Sequence, residues 1–401
     1  MTRVARMAVA AALVAGVFGT PIRARAESIF GINLLGEHVD TGDARMIGLG
    51  GFVQLVDDSL GVLQYNPATT AWVKRVTFGV AGYVSSDANK SADFEEKTIS
   101  TKITGLTFAF PLFRNTLSAS FGFRGRYDPD GTFAVPMTTS EGDAYENRFE
   151  RSGGLWTVPM TLALDGGRFG KIGGFYTLDR GSIEDKWIID FTGPATADAV
   201  STQNREFSAS SWGVGAVVRP LRRVSLGLMY EAAVDYDVQV DESYTNSGAN
   251  TRYNESMTLP ARWTGSATLR PGGGFVVHAG ASVSDFEKFD GVSFPAGRLA
   301  REETVALGME YRRHGQRLPL RAAARYEQLP YTLPEGENIQ RRSLALGTGL
   351  LFRDRRGRMD IALQFGQTGS VNTNTYEDRF VRFFVSITGS EEWKRQRETR
   401  Y

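Results

Sequence analysis

Arg219-Pro-Leu-Arg-Arg223 followed by Val224-Ser-Leu-Gly-Leu-Met-Tyr-Glu231 decides how this chain reads. A tight basic turn opens a run in which Val224, Leu226, Leu228 and Tyr230 point one way. Ser225, Gly227, Met229 and Glu231 point the other. A period of two marks a β-strand with one apolar face. The unit recurs along the chain. Arg270-Pro-Gly-Gly-Gly274, Arg312-Arg-His-Gly315 and Arg353-Asp-Arg-Arg-Gly-Arg358 are further short basic turns. Leu117, Ala119, Phe121 and Phe123 oppose Ser118, Ser120, Gly122 and Arg124. Leu320, Ala322, Ala324 and Tyr326 oppose Arg321, Ala323, Arg325 and Glu327. Met359, Ile361, Leu363 and Phe365 oppose Arg358, Asp360, Ala362 and Gln364. The connections at the other hairpin ends read as long polar loops over 128–147, 180–204, 234–254 and 286–300.

Short turns at one end and long connections at the other are the pattern of an outer-membrane barrel. Turn chemistry places strands near 73–85, 98–112, 115–127, 148–164, 169–179, 205–219, 222–233, 255–270, 274–285, 301–313, 317–328, 340–353, 357–367 and 378–388. The fold expected is all-β: an antiparallel transmembrane β-barrel of about 14 strands with an N-terminal hatch or plug segment. An even count returns both ends to the periplasm, and closure leaves no unpaired edge in lipid. An Arg or Lys facing lipid at the midplane costs about 2–4 kcal/mol, so the charged face turns to the lumen. A soluble β-sandwich also alternates, but this chain is too long for a single one.

Residues 1–26 read as a signal peptide. Arg3 and Arg6 form its basic start, Met7–Phe18 its apolar stretch and Ala24-Arg25-Ala26 its cleavage site. No later apolar run is long enough for a transmembrane helix. The formal charge of +1 gives no global pull toward nucleic acid. The strand Asp378-Arg-Phe-Val-Arg-Phe-Phe-Val-Ser-Ile387 alternates like the terminal signal that barrel-assembly machinery reads, and a polar tail over 389–401 follows it.

Between leader and first strand, 27–72 does not alternate. It holds Gly50 and Gly51, which permit tight turning, the pair Asp57-Asp58, and Asn66-Pro67-Ala68, a fixed turn. Its apolar content argues for folding into the barrel as a plug. The run Ala44-Arg-Met-Ile-Gly-Leu-Gly-Gly51, then Val56-Asp-Asp-Ser59, then Tyr65-Asn-Pro-Ala68 resembles the N-terminal signature of the FadL/TodX family. That resemblance implies a fourteen-stranded outer-membrane transporter for long-chain fatty acids and other hydrophobic compounds. It further implies a hatch whose movement opens a route, often sideways at a kinked strand. Gly122 and Gly125 are the candidate kink residues. Arg124, Arg321, Arg325 and Arg382 are candidates to meet a ligand carboxylate. The alternative is that they pair with Glu231, Glu310, Glu327 and Asp360 to fill the lumen.

No enzyme, metal site or cofactor is expected. His38, His278 and His314 lack ligand spacing, and no nucleophile elbow or P-loop occurs. Asp128-Pro-Asp130-Gly131 reads as a loop tip. The leading function is passive transport of a hydrophobic, fatty-acid-like small molecule. Outer-membrane lipid and the assembly machinery are the other expected partners, and no nucleic acid is. The alternative is a PorV-like barrel acting as a secretion accessory or protein-docking platform. A polar-solute porin is a third reading, and a plug speaks against it.

Overall fold

In the computed structural model the described residues are 28–40, 42–51, 59–61, 66–92, 95–113, 116–138, 144–191, 199–245, 250–291, 298–312, 318–332, 337–352 and 356–391. The leader, Asp57, Asp58 and the tail beyond Glu391 lie outside them. The described residues cross fourteen times, as β1 (Val76–Lys90), β2 (Glu95–Phe113), β3 (Leu117–Asp128, continued by Gly131–Thr138), β4 (Ala144–Asp165), β5 (Lys171–Phe191), β6 (Ala199–Leu221) and β7 (Val224–Glu231, continued by Val234–Tyr244). They continue as β8 (Asn250–Leu259, then Arg262–Gly272), β9 (Phe275–Asp285), β10 (Arg301–Tyr311), β11 (Leu320–Thr332), β12 (Asn338–Leu351), β13 (Gly357–Gly369) and β14 (Glu377–Glu391). Each strand pairs antiparallel with the next. β14 closes on β1, with Glu377 opposite Lys90 and Glu391 opposite Val76.

The outward face explains the alternation. Leu162, Ile172, Leu228, Leu307 and Leu344 are all more than half exposed, which only a lipid environment rewards. Aromatic rings border this band. Phe123 stacks on Trp156 at 4.6 Å, and Tyr230 bridges Trp212 (5.8 Å) and Trp263 (4.6 Å). At the short-turn rim Phe275 packs on Tyr311 at 4.5 Å.

The expected long loops differ from the structure. Strands β4, β5 and β6 run 22, 21 and 23 residues. A tilted strand needs only about 9–11 to cross. The excess forms a wall beyond the aromatic border, and most of 128–147, 180–204 and 234–254 belongs to it. Here the pattern inverts. Leu155, Ile183, Phe207, Val238 and Val240 point inward and are buried, while Ser182, Glu206, Asp235 and Asp237 face out. Outside lipid the apolar side must turn to the interior. Asp128-Pro129-Asp130 is therefore the bend between the two halves of β3, not a loop tip; Asp130 Oδ1 accepts from the Gly153 N–H at 2.9 Å. Ala232-Ala233 and Pro260-Ala261 interrupt β7 and β8 in the same way.

Candidate functional site

The N-terminal segment lies against lumenal faces around the barrel. Its first turn, Ile29–Ile32, and Leu34-Leu35 pack on the inner wall with Leu155, Ile183, Tyr236 and Tyr331. Glu37-His38 pairs with Asp128 and Tyr127 of β3. Asp43 caps the one-turn helix Ala44–Ile47, accepting from Met46 N at 2.8 Å. That helix contacts β12, β13 and β14, and Ala44 N donates to Ser386 Oγ at 3.1 Å. Gly50 and Gly51 then turn the chain at φ +99° and +79°, conformations that side chains resist.

Asn66 starts the 3₁₀ turn Pro67–Trp72. Its Oδ1 accepts from Ala68 N at 3.0 Å, and its Nδ2 donates to the Leu228 carbonyl at 3.2 Å. The turn fits because β5 and β6 lack side chains beneath it. A Cβ on Gly173 would lie 2.6 Å from Pro67, and one on Gly215 would lie 2.2 Å from Asn66 Oδ1. Asn66, Pro67 and Ala68, singled out in the sequence as one turn, thus form one anchored element.

Buried ion pairs bind the segment to the wall. Arg45 holds Glu310 through Nε (3.1 Å) and Nη2 (3.0 Å). Glu310 also accepts from Arg321 Nε at 2.7 Å, and Arg321 Nη1 reaches Asp360 at 2.9 Å. Asp360 pairs with Arg358, whose Nη2 lies 3.3 Å from Asp43. The chain of charges therefore runs from segment to wall and back. Asp40 meets Arg325 at 2.6 Å and Arg382 at 3.7 Å, and Glu37 meets Arg341 and Arg382. All are largely withdrawn from water; the most exposed side chain among them, Arg45, keeps 14%. Of the four candidate ligand arginines, Arg321, Arg325 and Arg382 are committed to carboxylates. Arg124 lines a cavity, and Glu231, which accepts from Arg126 Nη2 at 3.0 Å, lines it too.

That cavity, of about 110 Å³, lies between the segment and β3–β9. Its lining is mixed: His38, Arg124, Thr157, Thr177, Glu231 and Arg262 face Phe175, Met229, Leu259 and Phe286. The Thr157 and Thr177 hydroxyls have no hydrogen-bond partner. His38 is neutral. Burial first, then the guanidinium groups of Arg262 and Arg126, push its pKa down from 6.5 to about 3. Its Nδ1 donates to the Val39 carbonyl at 3.1 Å, leaving Nε2 to accept from Arg262 at 3.4 Å.

Above the cavity the β3–β4 ladder is interrupted. Phe121 pairs with Met160 and Arg124 with Thr157, but Gly122-Phe123 and the facing Val158-Pro159 are skipped. Pro159 has no N–H to give. A second irregularity falls between Gly125 and Tyr127. On the β2 side Gly122 stays paired, opposite Thr107. Gly125 packs on the segment: a Cβ there would lie 3.1 Å from Val39 Cγ1.

A closed fourteen-stranded barrel with an apolar outer band and an N-terminal segment seated against its inner wall defines an outer-membrane β-barrel of the FadL-like type. Solved structures share this fold. A FadL homologue of Pseudomonas aeruginosa superposes with a TM-score of 0.63 at 13% identity, over 88% of this chain and 99% of its own. The toluene transporter TodX of Pseudomonas putida gives 0.61 at 14%, over 89% and 100%. The monoaromatic hydrocarbon channel CymD gives 0.57 at 13%, over 88% and 98%. No curated protein matches the chain in sequence. Residues 1–399 match the family model described as BamG, and the chain belongs to the BamG family.

The carboxylates that hold the segment, Glu37, Asp40 and Asp43, were not among the residues the sequence singled out. Only Asp43 left a local trace, as a capping residue ahead of Ala44–Ile47.

Proposed function

We propose that this barrel works by docking rather than by conduction. In this reading 27–72 is a standing plug, and the protein is an outer-membrane platform that takes part in barrel assembly. The observation that carries the reading is the ionic latch. Moving the plug aside separates Arg45 from Glu310, Asp43 from Arg358, Asp40 from Arg325 and Glu37 from Arg341. Removing one partner from a buried pair costs about 3–5 kcal/mol where the other charge stays buried, and four such pairs together favour a plug that stays seated. The cavity beside the plug is small, smaller than the roomy pocket a hydrophobic cargo needs. The BamG family name ties the chain to barrel assembly.

A second reading, transport of hydrophobic compounds, is favoured by a different observation. The unpaired stretch at Gly122-Phe123 and Val158-Pro159 lies directly over the cavity, where Ser120, Arg124 and Thr157 line it. This is a place for a sideways exit, and structural neighbours are named as a toluene transporter and a hydrocarbon channel. A fatty-acid cargo in the cavity would meet the guanidinium groups of Arg124, Arg126 and Arg262 that line it.

A photo-crosslinking residue at Arg223, exposed on the short periplasmic turn after β6, separates the two in cells. Docking predicts a crosslink to a component of the assembly machinery, and defective assembly of other barrels when the protein is depleted. Normal barrel assembly on depletion, together with reduced uptake of hydrophobic compounds, would overturn docking in favour of transport.

A further inference from the structure

The net charge of +1 conceals a division between the two ends of the barrel. At the short-turn end Arg168, Arg219, Arg222, Arg223 and Arg312 are exposed. Among the described residues the acids at that end that do not face the lumen are Asp165 and Glu391, and Asp165 is taken by Lys74 and Lys171. The opposite wall is mixed: Glu206, Asp235 and Asp237 are exposed there, and so are Lys97, Arg252, Arg301 and Arg379. The cationic end is the periplasmic one, because β1 begins and β14 ends there.

Two features say what this charge meets. First, it recurs at every short turn from β4 to β13: Arg168 follows β4, Arg222 and Arg223 follow β6, Arg270 lies near the end of β8, Arg312 follows β10 and Arg356 precedes β13. A protein partner covers one sector, whereas a lipid annulus touches every sector. Second, each charged turn adjoins apolar side chains that face lipid. Phe169 is 77% exposed beside Arg168, and Leu221 is 64% exposed beside Arg222. Charges at the edge of an apolar band lie at headgroup depth, where long basic side chains reach for phosphate. Arg also suits phosphate geometry better than Lys does.

We propose that the periplasmic arginine ring binds anionic phospholipid headgroups of the inner leaflet and collects them around the barrel. The inference stands whether the protein docks or conducts.

The test uses the full-length barrel in phosphatidylcholine vesicles carrying a trace of spin-labelled phosphatidylglycerol or spin-labelled phosphatidylcholine. The fraction of each label immobilised at the protein gives its relative affinity. Wild type is expected to prefer phosphatidylglycerol by about threefold, with the preference weakening in high salt. The Arg168→Gln/Arg222→Gln/Arg223→Gln/Arg312→Gln variant is expected to lose the preference, and the corresponding Lys variant to keep most of it. These turn positions are exposed, and heat-modifiable migration checks that each variant is folded. Equal affinity for both lipids in folded wild type overturns the proposal and leaves an acidic protein as the partner. A Gln variant that keeps the full preference overturns it as well.

Discussion

Replacing Glu310 by Leu tests the latch at its junction. Glu310 holds Arg45 of the plug by two hydrogen bonds and Arg321 of the wall by a third. Arg321 keeps Asp360, so the loss falls on Arg45. Removing one member of a buried pair costs about 3–5 kcal/mol, and the 14% exposure of Arg45 argues for the low end, about 3 kcal/mol. That raises the population of the undocked plug by roughly 150-fold. The chain has 0 cysteines, so Met46→Cys gives a single thiol on the plug helix, at a position 2% exposed. Maleimide labelling then reports undocking, and Glu310→Leu should accelerate it by about two orders of magnitude. Arg45→Met/Glu310→Leu should return labelling to within about tenfold of the parent, because an apolar pair fills the site without a stranded charge. A single variant that labels at the parental rate refutes the latch.

Three further outcomes follow. Gly215→Ala puts a methyl within 2.2 Å of Asn66 Oδ1, and should destabilise the folded barrel by about 1–3 kcal/mol in a thermal melt. Leu162→Arg, in the lipid band, should cost about 2–4 kcal/mol in vesicle unfolding, while Ser182→Arg on the wall should cost about 0–1 kcal/mol; equal costs would misplace the membrane border. His38 has its pKa lowered in the fold, so the unfolded chain takes up its proton first. The stability tied to neutral His38 is complete above about 6.5 and drains away as pH falls toward about 3. Melting temperatures of wild type and His38→Gln should therefore differ in pH dependence within that window, and parallel curves would contradict the assignment.

The fourteen crossings were legible because each depends on local chemistry. Arg-Pro and Gly-rich turns bound the strands, and apolar residues keep one parity wherever lipid is the solvent. Beyond the aromatic border the solvent changes and the parity flips. Asp235, Asp237, Gln239 and Asp241 alternate with buried Val234, Tyr236, Val238 and Val240, yet the polar set reads as loop to an eye seeking apolar-out strands. Pro129 reinforces the error by marking a bend inside a strand as if it were a turn. That Arg321, Arg325 and Arg382 are buried inside the barrel also followed from parity. Pairing with Glu231, Glu310, Glu327 and Asp360 was one of two readings the sequence left open; Arg321 holds Glu310 and Asp360, Arg325 holds Glu327, and Arg382 turns instead to Glu37 and Asp40 of the N-terminal segment. What sequence could not give was the plug's side of the latch. Arg45 and Glu310 stand 265 residues apart, and no local pattern links them.

The most direct measurement of the central claim is permeation of toluene into proteoliposomes by a barrel whose plug is locked or free. A disulfide between Ala44→Cys and Ser386→Cys joins plug to wall where Ala44 N already meets Ser386 Oγ at 3.1 Å. A standing plug predicts that flux stays at the level of empty vesicles in both the oxidised and the reduced form. Flux through the reduced form that oxidation abolishes would contradict the docking account and make the plug a gate.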